Sequence, residues 1–263
     1  MFRRRFHLAE FGDQAWLAGW WRDAYLDCLN HGLRVGGQFR QLHHVYARWA
    51  MRNGFGPVLD LGSGGGGPIE TMLEQARTDG SKLPLICLSD LHPSQKHFSE
   101  LVQKFGTEQL AYQSIPVSAC APNGRGYALR SICATLHHFR PELVSQILHV
   151  ALSESRSLLI VEPLQRNLRH LLLVLLSGPF AYMAAPFTAR HWDWRKFLFT
   201  TILPIIPLLV MWDGLVSVLR TYTFEEISAL VPPELGKDVT ISKHTLPYMG
   251  FFGALCIEVT RIK

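Results

Sequence analysis

The run Val58-Leu59-Asp60-Leu61, followed at once by Gly62-Ser63-Gly64-Gly65-Gly66-Gly67, constrains this chain more than any other segment. Four residues form a short, mostly apolar strand. The turn after it is glycine at five of its six positions. Such a turn brings bare backbone N–H groups to a ligand that a Cβ would hold away. The sequence beyond it can start a helix whose positive end faces the same ligand. A strand, turn and helix at this point leave the rest of the chain for an α/β domain, while residues 1–57 need a separate explanation.

Downstream, strand and helix patterns alternate. After Val58–Leu61 comes a helix with Pro68 in its first turn, where proline is tolerated, ending near Thr78-Asp79-Gly80. Further strands are expected at Leu85–Leu88, Ile115–Ala119, Tyr127–Ala134 and Ser157–Val161, with helices starting after His92-Pro93-Ser94 and at Pro141. Repeated βα units with Asp60, Asp90, Thr135 and Glu162 at the strand ends describe an open parallel sheet that binds its ligand along those ends. Val239–His244 and Ala254–Arg261 have no helix between them, so they close the sheet as an antiparallel hairpin. The expectation is a Rossmann-like seven-stranded sheet, mostly parallel.

Before the sheet, apolar positions Leu8, Phe11, Ala15, Leu17, Trp20, Trp21, Tyr25 and Leu29 recur at three-to-four spacing. Gly36-Gly37 breaks that run ahead of a second segment, Gln38–Met51. Residues 1–56 therefore read as an N-terminal helical cap, and 57–263 as the sheet domain. That domain carries an apolar helical insertion at about 164–220. Leu168–Leu176 and Phe180–Phe187 are followed by a charged patch from Arg190 to Lys196, and then by Phe197–Trp212. The last run has 16 residues, about 24 Å as a helix against the roughly 30 Å of a bilayer core. Pro204 and Pro207 would also kink it. A buried lid or an interfacial segment suits it better than a full span.

The chain is 48% hydrophobic with a net charge of +5, enough for a substantial core. Five scattered cysteines lack C-x-x-C spacing, which points to reduced thiols in a cytoplasmic compartment and to no metal site. Arg3-Arg4-Arg5 has the charge of a signal peptide, but Glu10 and Asp13 interrupt where the apolar stretch should follow. Residues 1–52 hold eight Arg against four acids, and residues 156–220 hold seven Lys/Arg against three. Both regions are rich in Trp and Phe. This suits a membrane surface or an anionic substrate better than nucleic acid, for which no module is recognisable.

The turn admits three chemical readings. A phosphate loop needs lysine where Pro68 stands. A dinucleotide fingerprint is formally met by Gly62, Gly64 and Gly67, but Asp60, two residues earlier, would repel pyrophosphate. In the third, D-x-G-x-G-x-G (Asp60, Gly62, Gly64, Gly66) binds a cationic cofactor without phosphate, and the carboxylate becomes an attraction able to hold an amino group. This pattern resembles motif I of the class I S-adenosylmethionine-dependent methyltransferases. Residues 58 to 263 match that family's element order, including its terminal hairpin.

The resemblance implies a cofactor site built from Asp60, Gly62, Ser63, Gly64 and Gly66, with Asp90 accepting the ribose hydroxyls. Asp90 lies 30 residues after Asp60, farther than the roughly 20 expected, and the loop Thr78–Pro84 absorbs the excess. Leu91 and His92 would flank the adenine. Ser118 stands where many relatives carry an acid, and Thr135 ends the fourth strand. Thr135-Leu136-His137-His138-Phe139 lacks the N-P-P-Y signature of enzymes that methylate bases or amides, and looks like the small-molecule and lipid branches. His137 or His138 could serve as the general base. Adjacent residues on a strand point to opposite faces, which argues against a shared metal. Thr223 and Glu226 read as a capping box. Asp213 and Arg220 have no local explanation beyond pairing with each other, and could position a polar acceptor head.

The sequence therefore points to methyl transfer from S-adenosylmethionine to a small apolar or amphiphilic acceptor. The expected location is cytoplasmic, with peripheral membrane contact open. A cofactor-binding regulatory protein without transferase activity and a nicotinamide-dependent oxidoreductase stay as alternatives.

Overall fold

The computed structural model describes residues 4–14, 16–124, 126–189, 192–235 and 238–262. Met1 to Arg3, Ala15 and Arg190, used above, lie outside these. Helices α1 (Trp20–Gly36) and α2 (Leu42–Arg52) precede β1 (Val58–Leu61). Then follow α3 (Gly67–Asp79), β2 (Ile86–Ser89), α4 (Gln95–Phe105), β3 (Leu110–Tyr112), β4 (Leu129–Cys133), α5 (Pro141–Glu154) and β5 (Ser157–Glu162). The insertion contributes α6 (Leu168–Ser177), α7 (Ala185–Thr188), α8 (Trp194–Phe197) and α9 (Ile205–Arg220), and the chain ends with α10 (Phe224–Ala229), β6 (Val239–Tyr248) and β7 (Phe252–Arg261).

The sheet has seven strands in the order β3-β2-β1-β4-β5-β7-β6. Its first five are parallel, with Val58 opposite both Ile86 and Leu129. The last two form the antiparallel hairpin, and β7 slots between β5 and β6. Successive side chains of β1 go to opposite faces, as the strand period requires. Val58 packs with α2, α3 and α4, whereas Leu59 and Leu61 pack with α5 and Ile227 of α10. Burial on both faces explains why these strands read as near-continuous apolar runs.

The two N-terminal helices pack differently. Helix α2 is a layer of the sheet: Phe39, Tyr46 and Trp49 join one core, Trp49 Nε1 donates to Ser157 Oγ, and Tyr46 OH lies 3.0 Å from Ser131 Oγ. Helix α1 instead forms a smaller core with the insertion, through Ala24, Tyr25, Cys28, Ala185, Ile206 and Val210. Gly37 ends α1 in the left-handed conformation (φ 68°), the expected use of a glycine at a helix C-terminus.

Three expectations need correction. The third strand is Leu110–Tyr112, not Ile115–Ala119, where Pro116 has no N–H for a ladder and Ile115 faces solvent. The first helix starts at Trp20. Among the described residues before it, 4–14 and 16–19 run as an irregular strap with one 3-10 turn, Phe11–Asp13, and Gly19 caps the helix. The terminal strands each extend to ten residues. The capping box of Thr223 and Glu226 is present.

No single helix among the described residues is long and apolar enough to cross a membrane. Leu168–Ser177 and Pro179–Thr188 meet at a 67° bend, and Trp194–Ile202 and Ile205–Arg220 at 62°. The second break falls at Leu203-Pro204, and Pro207 sits in the first turn of α9, where a missing N–H costs nothing.

Candidate functional site

A cavity of about 580 Å³ opens along the carboxyl ends of β1, β2, β4 and β5, where open α/β sheets bind their ligands. Its size falls within the roughly 300–1,000 Å³ of small-molecule sites. Gly62, Gly64, Asp90, Leu91, Ser118 and Thr135 line one end. Gly62 (φ 67°) is fixed by crowding, since a Cβ there would sit 2.6 Å from Thr135 Cγ2. Gly64 (φ 55°) has nothing within 4 Å of the same construction, so its backbone faces open space. Asp90 ties the turn to β2: one carboxylate oxygen accepts the Gly64 N–H and the other the His92 N–H, each at 2.8 Å. A carboxylate has about four acceptor positions, so both oxygens retain capacity for a ligand hydroxyl.

Asp60 and Ser63 do not reach the cavity wall. Asp60 is 1% exposed. It accepts hydrogen bonds from Ser131 Oγ (2.6 Å) and Ser63 Oγ (2.7 Å). Burial pushes its carboxyl up to about 6, with the two hydroxyls opposing that rise. Through these two hydroxyls Asp60 pins β1 to β4 and to the turn, so the expected hold on an amino group would have to run through water rather than directly. Gly66 likewise serves packing, because a Cβ there would lie 2.4 Å from Leu101 Cδ1.

The other end of the cavity centres on the two histidines. Ala134 leaves β4 with φ 54°, a left-handed conformation that non-glycine residues rarely adopt and that clusters at functional sites. The chain then makes a 3-10 turn over Leu136–His138. Because the pair sits on a turn and not on a strand, the rings do not diverge: their centroids are 4.3 Å apart. Glu162 accepts the His137 backbone N–H at 3.2 Å and lies 2.8 Å from His137 Nδ1. A carboxylate only accepts, so Nδ1 donates to it, and in a neutral ring the lone pair is then on Nε2. His138 Nδ1 pairs in the same way with Asp13, at 2.7 Å.

Asp213 and Arg220 do not pair with each other. Each holds the N-terminal strap. Asp213 accepts the Phe11 and Gly12 N–H groups and the Tyr25 hydroxyl, all at 2.7 Å. Burial raises its carboxyl, against those donors. Arg220 lies behind the histidine turn. It donates to Asp13 (2.8 Å) and the His138 carbonyl (2.8 Å), and reaches Glu10 at 3.2 Å. Burial drives Glu10 up to about 7, although His138 and Arg220 pull it down. For Asp13 burial works in the same direction but loses: hydrogen bonds and charge from His138 and Arg220 hold it well below its usual range. Arg5 completes the clamp. It donates to the carbonyls of His137 (2.7 Å), Phe139 (2.8 Å) and Arg220, with its guanidinium over the Tyr222 ring.

Of the expected site residues, Gly62, Gly64, Asp90, Leu91, Ser118 and Thr135 meet at one end, and His137, His138 and Asp213 at the other. Asp60, Ser63, Gly66 and Arg220 stand behind the wall. Sequence reasoning missed Arg5, Glu10, Asp13 and Tyr25, which act through partners more than 100 residues away. Their one visible signal was a pair of acids placed where nothing local needed them. Glu10, His137 and His138 also place one ligand atom each within 4.8 Å of one another, but Arg220 already occupies the Glu10 carboxylate. Beyond the histidines the wall becomes apolar, with Leu29, Leu33, Val174, Tyr182 and Val210 from α1, α6, α9 and the turn after α6.

No family model matches the chain, and no curated protein matches it. Solved structures do. The plantazolicin methyltransferase BpumL, in complex with a monoazolic desmethylPZN analog and SAH, superposes with a TM-score of 0.56 at 13% identity, covering 92% of this chain and 90% of its own. An O-methyltransferase family protein from Burkholderia thailandensis gives 0.54 at 12% identity, over 92% of this chain and 60% of its own. For a putative O-methyltransferase from Nostoc punctiforme the values are 0.51, 16%, 89% and 60%. The chain has the Rossmann-like fold of class I methyltransferases.

Proposed function

We propose that this protein is an S-adenosylmethionine-dependent methyltransferase whose acceptor is a small apolar or amphiphilic molecule bearing a hydroxyl or thiol. One observation carries the reading. Among the described residues, the cavity wall holds five carboxylates (Glu10, Asp13, Asp90, Glu162 and Asp213) against one guanidinium, that of Arg22. Arg220 offsets Glu10 and Asp13 from behind the wall, which leaves Asp90, beside the glycine turn, as the acid that favours a cationic ligand over a pyrophosphate. The open face of Gly64 and the spare acceptor capacity of Asp90 suit the cofactor end, with Leu91 and Ser118 beside the adenine and Thr135 at the approach to the histidines.

S-adenosylmethionine, when bound, supplies an electrophilic methyl carbon. The protein's share is to align the acceptor, exclude water and take up a proton. His137 is the base in this reading. Its Nε2 accepts the proton of the acceptor hydroxyl or thiol, while Glu162 keeps Nδ1–H oriented and stabilises the imidazolium. Glu162 sits on a sheet strand, whereas Asp13, the partner of His138, sits on the strap. The strap and the insertion at 164–220 cover the acceptor end. The O-methyltransferase names among the structural neighbours support oxygen as the accepting atom.

Isothermal titration with S-adenosylhomocysteine, paired with a methyl-release assay on extracted lipids and small metabolites, tests the reading. Asp90→Ala should weaken cofactor affinity at least tenfold, and unchanged affinity removes Asp90 from the site. Binding without turnover on any fraction favours a regulatory cofactor-binding protein. Affinity for nicotinamide dinucleotide with none for S-adenosylhomocysteine revives the oxidoreductase reading.

A further inference from the structure

We propose that the outer face of the insertion, α6 through the first half of α9, seats on the surface of a lipid bilayer and enters one leaflet. Helix α6 turns His170 and Val174 inward and presents Leu168, Leu172, Leu175 and Leu176 to the outside, the last 78% exposed. On α9, Ile206 and Val210 are buried while Ile205, Leu208 and Trp212 are not. A helix apolar on both its inner and outer faces calls for an apolar surrounding on the outside too. The turns between these helices extend the same character, with Phe180 at 79% and Trp194 at 65% exposed, and with Phe187 and Trp192 beside them. Monomers in water rarely leave so many large apolar side chains uncovered in one region.

Three features commit this face to a bilayer in preference to another protein. The first is depth. Helix α6 spans ten residues, about 15 Å, and each apolar pair is bent at its break, by 67° and 62°. A helix of that length is matched to one leaflet of a roughly 30 Å core. The second is charge. Between Pro163 and Trp212 the sequence holds one acid, Asp193, against Arg166, Arg169, Arg190, Arg195 and Lys196. Of these, Arg166 is buried against Glu226, Lys196 pairs with Asp27 and Arg195 with Asp193, while Arg169 is exposed beside Leu168. An acid-poor face with an exposed arginine and tryptophans at its edge matches the headgroup layer of an anionic membrane. The third is continuity. Leu173, Val174 and Ser177 of α6, and Val210 of α9, line the cavity from the inner side of the same helices. An apolar acceptor dissolved in the leaflet would then have a short path to the histidines, a corollary that rests on the methyltransferase reading, whereas the docking does not.

Flotation of the full chain with vesicles tests the docking directly, without cofactor. Vesicles of phosphatidylcholine with phosphatidylglycerol should carry the wild type, and phosphatidylcholine alone should carry less. The double variant Leu176→Glu/Phe180→Glu, and separately Leu208→Glu, should partition at least tenfold less, with an unchanged circular dichroism spectrum. None of the three residues lines the cavity. Met51→Glu, at an exposed site on α2, should float like the wild type. Wild type that stays out of both vesicle types overturns the proposal. So does a dimer in sedimentation that the same Glu substitutions dissociate, for then a second copy covers the face.

Discussion

The two ends of the cavity are built in opposite ways. At the glycine end, Gly62, Gly64 and Asp90 lie within thirty residues of one another and are held by backbone. At the histidine end, the strap residues Arg5, Glu10 and Asp13 meet His137, Asp213 and Arg220 across most of the chain. One end is a rigid cradle whose parts arise together. The other is a polar cluster of carboxylates, imidazoles and guanidiniums linked by hydrogen bonds and ion pairs. The contrast teaches that one end of a cavity can be a contiguous motif while the other is assembled from distant pieces.

If the ends are separable, injury to one should spare the other. His137→Ala should lower kcat by about 10²- to 10⁴-fold, the usual worth of a general base, with S-adenosylhomocysteine affinity unchanged by titration. A parallel loss of cofactor affinity would break the distinction. Arg220→Ala should be the most damaging change for stability. It leaves Glu10 and Asp13 without their buried cation and the His138 carbonyl without a donor. Removal of one partner from a buried charge cluster costs about 3–5 kcal/mol, readable in denaturant unfolding.

A smaller effect sharpens the comparison. Glu10 titrates near 7 in the folded protein against an ordinary value of about 4.5. Between those values the native state binds more protons than the unfolded one, so the Glu10 contribution is full below about 4.5 and is lost as pH rises through 7. Glu10→Gln stays neutral. Its stability relative to wild type should therefore rise with pH across that window, by up to about 3 kcal/mol, in denaturant unfolding at a series of pH values. Asp60, raised to about 6, keeps its own pH dependence in both proteins.

Legibility in the sequence followed the same division. The strand, glycine turn and helix were readable because every determinant is contiguous, down to Pro68 in the first turn of α3 and Gly80 closing it. The mostly parallel sheet and its closing antiparallel hairpin followed from the βα alternation and the helix-free C-terminal strands. Two local errors have local causes: Pro116 turned an expected strand into cavity-lining loop, and His137-His138 fell on a 3-10 turn, which brings side by side two rings that a strand would have separated. The strap was beyond reach, because Glu10 and Asp13 show no period or motif, and their partners in α9 carry no mark of the pairing. Asp213 and Arg220 stood out as needing partners, but spacing suggested each other when the partners were residues 10–13 and 25.

The Arg5 clamp also sets an order in time. Its carbonyl partner on Arg220 lies 215 residues downstream. At a synthesis rate of about 5–20 residues per second, the strap waits ~10–40 s for α9 to be made. Through that interval Glu10 and Asp13 are in water, while β1, the glycine turn, β2 and β4 already have all their neighbours from β3 to β5. The glycine turn and its strands can therefore assemble before α9 exists, and Arg5, Glu10 and Asp13 find their partners later than residues made long after them.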